Sequence, residues 1–183
     1  MKHLFAALAI CVATNTQQAE PVFAPLLEET SKPEIIEEFI PDFSIITIDH
    51  AREYIQTIYP YAVKVQKEQS IPAPITLAIA CLETGYGRSF NAKEKHNHLG
   101  IRVYQNGKAG YRRFSSLDEC FDYYTGMFNM ARYAPLQDIE ANDLPAFIKG
   151  LQECGFNHRD KYSKMLATMI DFLHLEELEY PMV

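Results

Sequence analysis

Ile75-Thr76-Leu77-Ala78-Ile79-Ala80-Cys81-Leu82-Glu83-Thr84-Gly85 is the stretch that decides the fold. From Ile75 to Leu82 it is apolar on every side rather than along one stripe, the pattern of a helix surrounded by its neighbours. Gly85 supplies the stop, and Ile71-Pro72-Ala73-Pro74 breaks the chain just before the start. A helix of this kind needs other helices to bury it. Ile55, Ile58, Tyr59, Ala62 and Val65 fall at helical spacing, so an amphipathic helix is predicted over 49–69, with Asp49 as its cap. Leu117, Cys120, Phe121, Tyr124, Phe128 and Ala131 mark a further helix. Leu144, Phe147, Ile148 and Leu151 mark another, stopped by Gly155, and Tyr162, Met165, Leu166, Met169 and Leu173 the last, with Asp160 as its cap. Between Leu99 and Phe114, short aromatic and β-branched pieces flank Asn106-Gly107, the dipeptide of a tight hairpin turn. The fold class is therefore α+β: a mainly helical domain over 49–178 with one small β-hairpin.

With 183 residues, 48% hydrophobic and 22% charged, the chain is a folded globular protein with one core rather than a disordered one. Its net charge of -7 is local: residues 20–49 hold eight acids against Lys32 alone, and the rest is balanced. A balanced body without a basic stripe argues against a nucleic-acid partner. Lys2 and His3 ahead of the apolar stretch Leu4–Ala13 read as an export signal over 1–24, too short to span a bilayer. Ala24 fits the cleavage pattern, with Ala13 and Ala19 as rivals. Cys11 raises a lipoprotein reading, against which the bulky Ile10 stands. Residues 25–48, with Pro25, Pro33 and Pro41 among the acids, read as a tether. Cys81, Cys120 and Cys154 are an odd set within apolar patterns, so buried thiols are expected rather than a disulfide framework, and their spacing does not suit zinc.

Glu83 is the most informative residue. It sits in the last turn of the apolar helix, where packing asks for no charge. Burial and the negative end of a helix dipole both favour the neutral form of a carboxyl, the form a general acid needs. The competing reading is a surface acid where the helix leaves the core, and position alone does not choose between them.

Ala80-Cys81-Leu82-Glu83-Thr84-Gly85-Tyr86-Gly87-Arg88-Ser89, followed by Asn97-His98-Leu99-Gly100-Ile101-Arg102, resembles the glucosaminidase domains of glycoside hydrolase family 73, which include flagellar peptidoglycan hydrolases and autolysins. The resemblance runs from about His50 to Leu175. It continues through Tyr111-Arg112-Arg113-Phe114-Ser115-Ser116-Leu117-Asp118-Glu119, Arg132-Tyr133-Ala134, Gly155-Phe156 and Tyr162, in the family's order. It implies a lysozyme-like fold, a peptidoglycan substrate, cleavage of the β-1,4 bond after N-acetylglucosamine, and Glu83 as the acid that protonates the leaving oxygen. It implies no metal and no organic cofactor.

One departure matters. Many members carry a second carboxylate on the hairpin, where this chain has Lys108, Ala109 and Gly110. Glycoside hydrolysis ordinarily uses two carboxyl groups. Asp118 and Glu119 are the nearest acids and stand as candidate second carboxylates, although both look like first-turn helix acids. Substrate assistance by the N-acetyl group, a distant acid and lytic transglycosylation are the other routes. Tyr133 matches a cleft tyrosine of the family and is a candidate for orienting the N-acetyl group or water. Tyr86 and Asn97 are candidate sugar contacts, or else simply order the loop after the helix. His96-Asn97-His98 has no acid or cysteine cluster to complete a metal site, and reads as loop. Arg159 stands as a lesser substrate contact. The sequence thus reads as an exported N-acetylglucosaminidase acting on peptidoglycan. A lytic transglycosylase, which lacks support from a Gly-Leu-Met-Gln block, and a non-catalytic glycan-binding module are the alternatives.

Overall fold

A computed structural model describes residues 41–181 apart from Asn106, His158 and Asp160. The expected export leader, the tether up to residue 40, Asn106 of the expected turn and the expected cap Asp160 lie outside the described residues.

Among the described residues, six α-helices and one hairpin follow in order: α1 (Asp49–Gln69), α2 (Ala73–Thr84), α3 (Phe90–Lys95), β1 (Arg102–Gln105), β2 (Lys108–Tyr111), α4 (Leu117–Met127), α5 (Leu144–Glu153) and α6 (Tyr162–Phe172). Short 3-10 segments lie at Phe43–Ile45 and Ala131–Asp138. The centre is α2. Every residue from Ile71 to Cys81 is buried, as the unbroken apolar pattern requires, and α2 packs against α1 on one side and α6 on another. Helix α1 turns Ile55, Ile58, Tyr59, Ala62 and Val65 inward and carries Pro60 on its exposed side. Gly85, with φ +55, closes α2 by donating its N–H to the Cys81 carbonyl, and the Tyr86 N–H reaches that same oxygen. The hairpin is antiparallel, with Arg102 opposite Tyr111 and Gln105 opposite Lys108, so that Gly107 at φ +75 sits in a two-residue connection.

Several expectations are corrected. Asp49 is not the cap of α1: it is the first helical residue, Ile48 holds the cap position without a side-chain bond, and Asp49 pairs with Arg52 at 3.1 Å. Residues 41–48, expected as tether, include the buried Phe43 and Ile46, and Arg52 Nε donates to the Ile46 carbonyl at 2.8 Å. The packed body therefore begins before residue 49 and reaches past 178, because Tyr180 stacks on Tyr59 with ring centroids 5.6 Å apart. Helix α4 stops at Met127 and a 3-10 segment with Pro135 inside takes over from Ala131. Cys81 and Cys120 are buried and Cys154 half-buried, all three as free thiols. Among the described residues no helix is long and apolar enough to cross a membrane.

Candidate active site

Glu83 is half-buried at the penultimate position of α2, next to the buried Thr84. Thr84 anchors the loop that follows: its Oγ1 donates to the Ala80 carbonyl at 2.6 Å, receives the Gly87 N–H at 2.7 Å and meets the Tyr54 hydroxyl at 3.2 Å. Gly87, at φ +74, lies against the Tyr54 ring, where a Cβ would come within 2.6 Å of ring carbons. Ser89 then caps α3 by accepting the Ala92 N–H. The spacing Glu-Thr-Gly-x-Gly-x-Ser is thus a framework in which one residue is free for chemistry and the others hold the turn.

The second segment, Asn97 to Arg102, closes over that framework. Asn97 is wholly buried and its amide is fully used: Nδ2 donates to the carbonyls of Ile101 and Arg112, each at 2.8 Å, and Oδ1 accepts the Ile101 N–H at 2.9 Å. These bonds fix Gly100, at φ +64, against Glu83, where a Cβ would lie 2.8 Å from the carboxyl carbon. His98 is tied back to α1, its Nδ1 3.0 Å from the Tyr54 hydroxyl. Burial, then the neighbouring His96, pushes the His98 imidazole down to about 4.

Glu83 opens into a cleft of about 430 Å³. Leu99, Ile101, Tyr124 and Phe156 supply apolar and aromatic wall, Tyr111 on β2 and Tyr123 on α4 add two more rings, and Tyr162 lines it from the start of α6. Three arginines line it: Arg102 on β1, Arg132 in the 3-10 segment and Arg159 before α6. Among the described lining residues Glu83 is the sole acid. A groove of similar volume, about 440 Å³, on α6 is lined by Leu82, Met165, Met169 and Phe172 with two lysines and holds no carboxylate. Of these two hollows, the Glu83 cleft is the one that carries a carboxylate.

Of the other residues singled out from the sequence, Arg159 lines the cleft with Glu83, whereas Tyr133, Tyr86, Asn97, Asp118 and Glu119 do not. Tyr133 is 1% exposed and packs on Phe128, with centroids 5.0 Å apart. Its hydroxyl accepts an N–H from Arg132 at 2.8 Å, and that guanidinium lies 4.5 Å from the ring centroid, so Tyr133 stands behind an arginine that lines the cleft. Tyr86 turns towards α1 and α6, its ring 5.2 Å from His50 and its hydroxyl on the Met169 sulfur at 3.7 Å. Asn97 has no free amide for a sugar. Asp118 is exposed and accepts the Tyr61 hydroxyl at 3.2 Å. Glu119 is exposed, and its Oε2 accepts the Ser115 hydroxyl and backbone N–H, each at 2.6 Å, which holds its carboxyl below the usual range. Both acids serve the start of α4, whose cap is Ser116. No group of three His, Cys, Asp or Glu residues among those described is arranged to hold a metal ion.

Tyr162, read from the sequence as a helix-face residue and as part of the family resemblance but given no role at the site, lines the cleft beside Glu83. Its hydroxyl is buried, makes no regular hydrogen bond to a described residue, and faces the Glu83 carboxyl. Burial first, and the Glu83 charge next, hold that phenol well above its ordinary range. A polar atom beside an apolar helix face gives no periodic signal, which is why its position in the helix pattern hides it.

A buried helix ending on one acid, with hairpin residues on the cleft wall, defines a lysozyme-like domain. The chain belongs to the glucosaminidase family of glycoside hydrolases: the family described as mannosyl-glycoprotein endo-beta-N-acetylglucosaminidase matches residues 59–175. Over 144 residues the chain is 29% identical to the peptidoglycan hydrolase FlgJ of Pseudomonas aeruginosa, covering 65% of this chain and 36% of that protein. Over 139 residues it is 27% identical to the FlgJ of Vibrio cholerae, covering 63% and 41%. It thus spans less than half the length of these curated relatives. The crystal structure of a peptidoglycan hydrolase from Sphingomonas sp. A1 matches with a TM-score of 0.58 at 26% identity, over 68% of this chain and 90% of that one.

Proposed function

We propose that this chain is an exported peptidoglycan hydrolase that cleaves the β-1,4 bond after N-acetylglucosamine, with Glu83 as general acid. The observation that carries this reading is the placement of Glu83 as the sole acid among the described residues of the cleft, at the end of a buried helix and under the backbone of Gly100. In this reading Glu83 gives its proton to the glycosidic oxygen as the bond from that oxygen to the anomeric carbon breaks, and the bonding pair leaves with the oxygen. No second carboxylate lines the described wall to attack or to activate water. The acetamido oxygen of the substrate's own N-acetylglucosamine is therefore assigned that role, and water then opens the resulting ring with Glu83 as base. Tyr162 positions the Glu83 carboxyl, and Tyr133 positions Arg132. The segment 1–24 is assigned as the leader that carries the domain out to the wall.

The single acid also suits a lytic transglycosylase, in which a muramyl hydroxyl attacks instead of water. Analysis of the ends made by digestion of purified peptidoglycan separates the two. Reducible N-acetylglucosamine ends support the hydrolase, and anhydro-muramyl ends would replace it with the transglycosylase.

A further inference from the structure

We propose that Arg102, Arg132 and Arg159 make the cleft a reader of carboxylates, so that it selects peptidoglycan strands over neutral N-acetylglucosamine polymers. The inference rests on the reading of the cleft as a glycan site and adds what part of the glycan is recognised. The chain as a whole carries a net charge of -7, yet the described cleft wall gathers three arginines against one acidic residue. They arrive from three separate elements, so the pattern is not the charged face of a single helix.

Two of the three are held on tyrosines, and none is neutralised by a described residue. Arg102 lies 4.9 Å from the Tyr111 ring centroid across the hairpin and donates to the Tyr111 hydroxyl at 3.4 Å. Arg132 is held on Tyr133 as described above. The Arg159 backbone N–H donates to the Asn157 side chain at 3.0 Å, Arg159 lines the cleft, and its charge acts on the Tyr162 phenol on the same wall. Among the described residues none of the three takes part in an ion pair. A guanidinium has five N–H donors in a planar fork that matches a carboxylate, and one bond to a phenol leaves most of them unused.

A polymer of N-acetylglucosamine alone offers no anion to such a wall. Peptidoglycan does: every second sugar carries a lactyl ether, whose carboxyl is either free, in strands stripped of peptide, or amide-linked to a peptide with carboxylates of its own. The shared chemistry is a carboxylate on the muramyl residue, within reach of arginines that flank the acid. Attraction of this kind also raises the encounter rate and weakens with salt.

Binding by full-length Glu83→Gln, which removes turnover, tests this. Three soluble ligands serve as probes at low salt: peptide-bearing strand fragments, the same fragments stripped by an amidase so that the lactyl carboxylate is free, and chitohexaose. Adding Arg102→Gln or Arg159→Gln is expected to weaken binding of an anionic ligand about tenfold, the loss of one charge-assisted hydrogen bond, while chitohexaose binding stays unchanged. Lysine at either position is expected to restore part of the loss. A loss confined to peptide-bearing fragments assigns the peptide carboxylates, and a loss confined to stripped fragments assigns the lactyl group. Equal loss on chitohexaose, no loss on either anionic ligand, or no binding of either by Glu83→Gln would overturn the inference. Failure of the hydrolase reading would show elsewhere, as absence of new ends when the parent protein digests peptidoglycan.

Discussion

The backbone of Gly100 rests on the carboxyl of Glu83 so closely that a Cβ there would lie 2.8 Å from the carboxyl carbon and 3.0 Å from Cγ. The residue also sits at φ +64, in the left-handed region that favours glycine. Gly100→Ala is therefore expected to act twice. Backbone strain costs ~1–2 kcal/mol of stability, and displacement of the carboxyl lowers kcat by about tenfold or more. A urea titration alongside a turnover assay checks both. Full activity in a destabilised variant would show that the contact does not set the position of the acid.

Tyr162→Phe separates catalysis from packing. Its hydroxyl is buried beside Glu83 with no regular hydrogen bond to a described residue, so its removal is expected to leave the fold as stable or slightly more so. If the phenol positions Glu83, kcat falls about tenfold with KM unchanged. A variant with parental kcat would reduce Tyr162 to a wall residue.

Asp118 and Glu119 stand at the start of α4 rather than in the cleft. Asp118→Asn and Glu119→Gln are expected to keep kcat within about twofold of the parent. Glu119 has a folded-state pKa below its ordinary value because of Ser115, so its contribution to stability is present near neutral pH and is lost as pH falls through that lowered value. Glu119→Gln should accordingly be less stable than the parent at pH 7 and converge with it in acid. A large loss of turnover in either variant would return that acid to the catalytic set.

His98 is expected to make the fold less stable in mild acid. Burial and His96 lower its pKa from the ordinary 6.5 to about 4. Between those values the unfolded chain binds a proton that the folded chain does not, so stability falls as pH drops from about 6.5 to about 4 and then levels. His98→Asn keeps an oxygen near the position of Nδ1 to face the Tyr54 hydroxyl and cannot be protonated in this range. Urea midpoints across that window are expected to slope less in the variant than in the parent. Identical slopes would mean that another group governs the loss in acid.

The helical frame was legible because burial leaves a periodic trace. The stripe of α1 and the unbroken apolar run of α2 specify their own faces, and Gly85 marks a stop that only a left-handed residue makes without strain. Glu83 stood out for the same reason, as a charge where the pattern had no place for one. The chemistry of the other candidates was not legible, because residue type says nothing about direction. Asn97 looks like a sugar contact until its three hydrogen bonds to Ile101 and Arg112 are seen, and Tyr133 looks like a cleft residue until its ring is found behind Arg132. The short helix α3 was missed because six residues are too few for a period to show, and its cap Ser89 was read only as part of a motif. The arginine border of the cleft is gathered from residues 102, 132 and 159, a proximity created by folding alone.

Mass spectrometry of purified peptidoglycan, digested by the full chain or by Glu83→Gln and analysed with and without borohydride reduction, bears most directly on the role of Glu83. Reducible N-acetylglucosamine ends made by the parent and absent with the variant are the expected result. The same ends at the same rate from Glu83→Gln would contradict it.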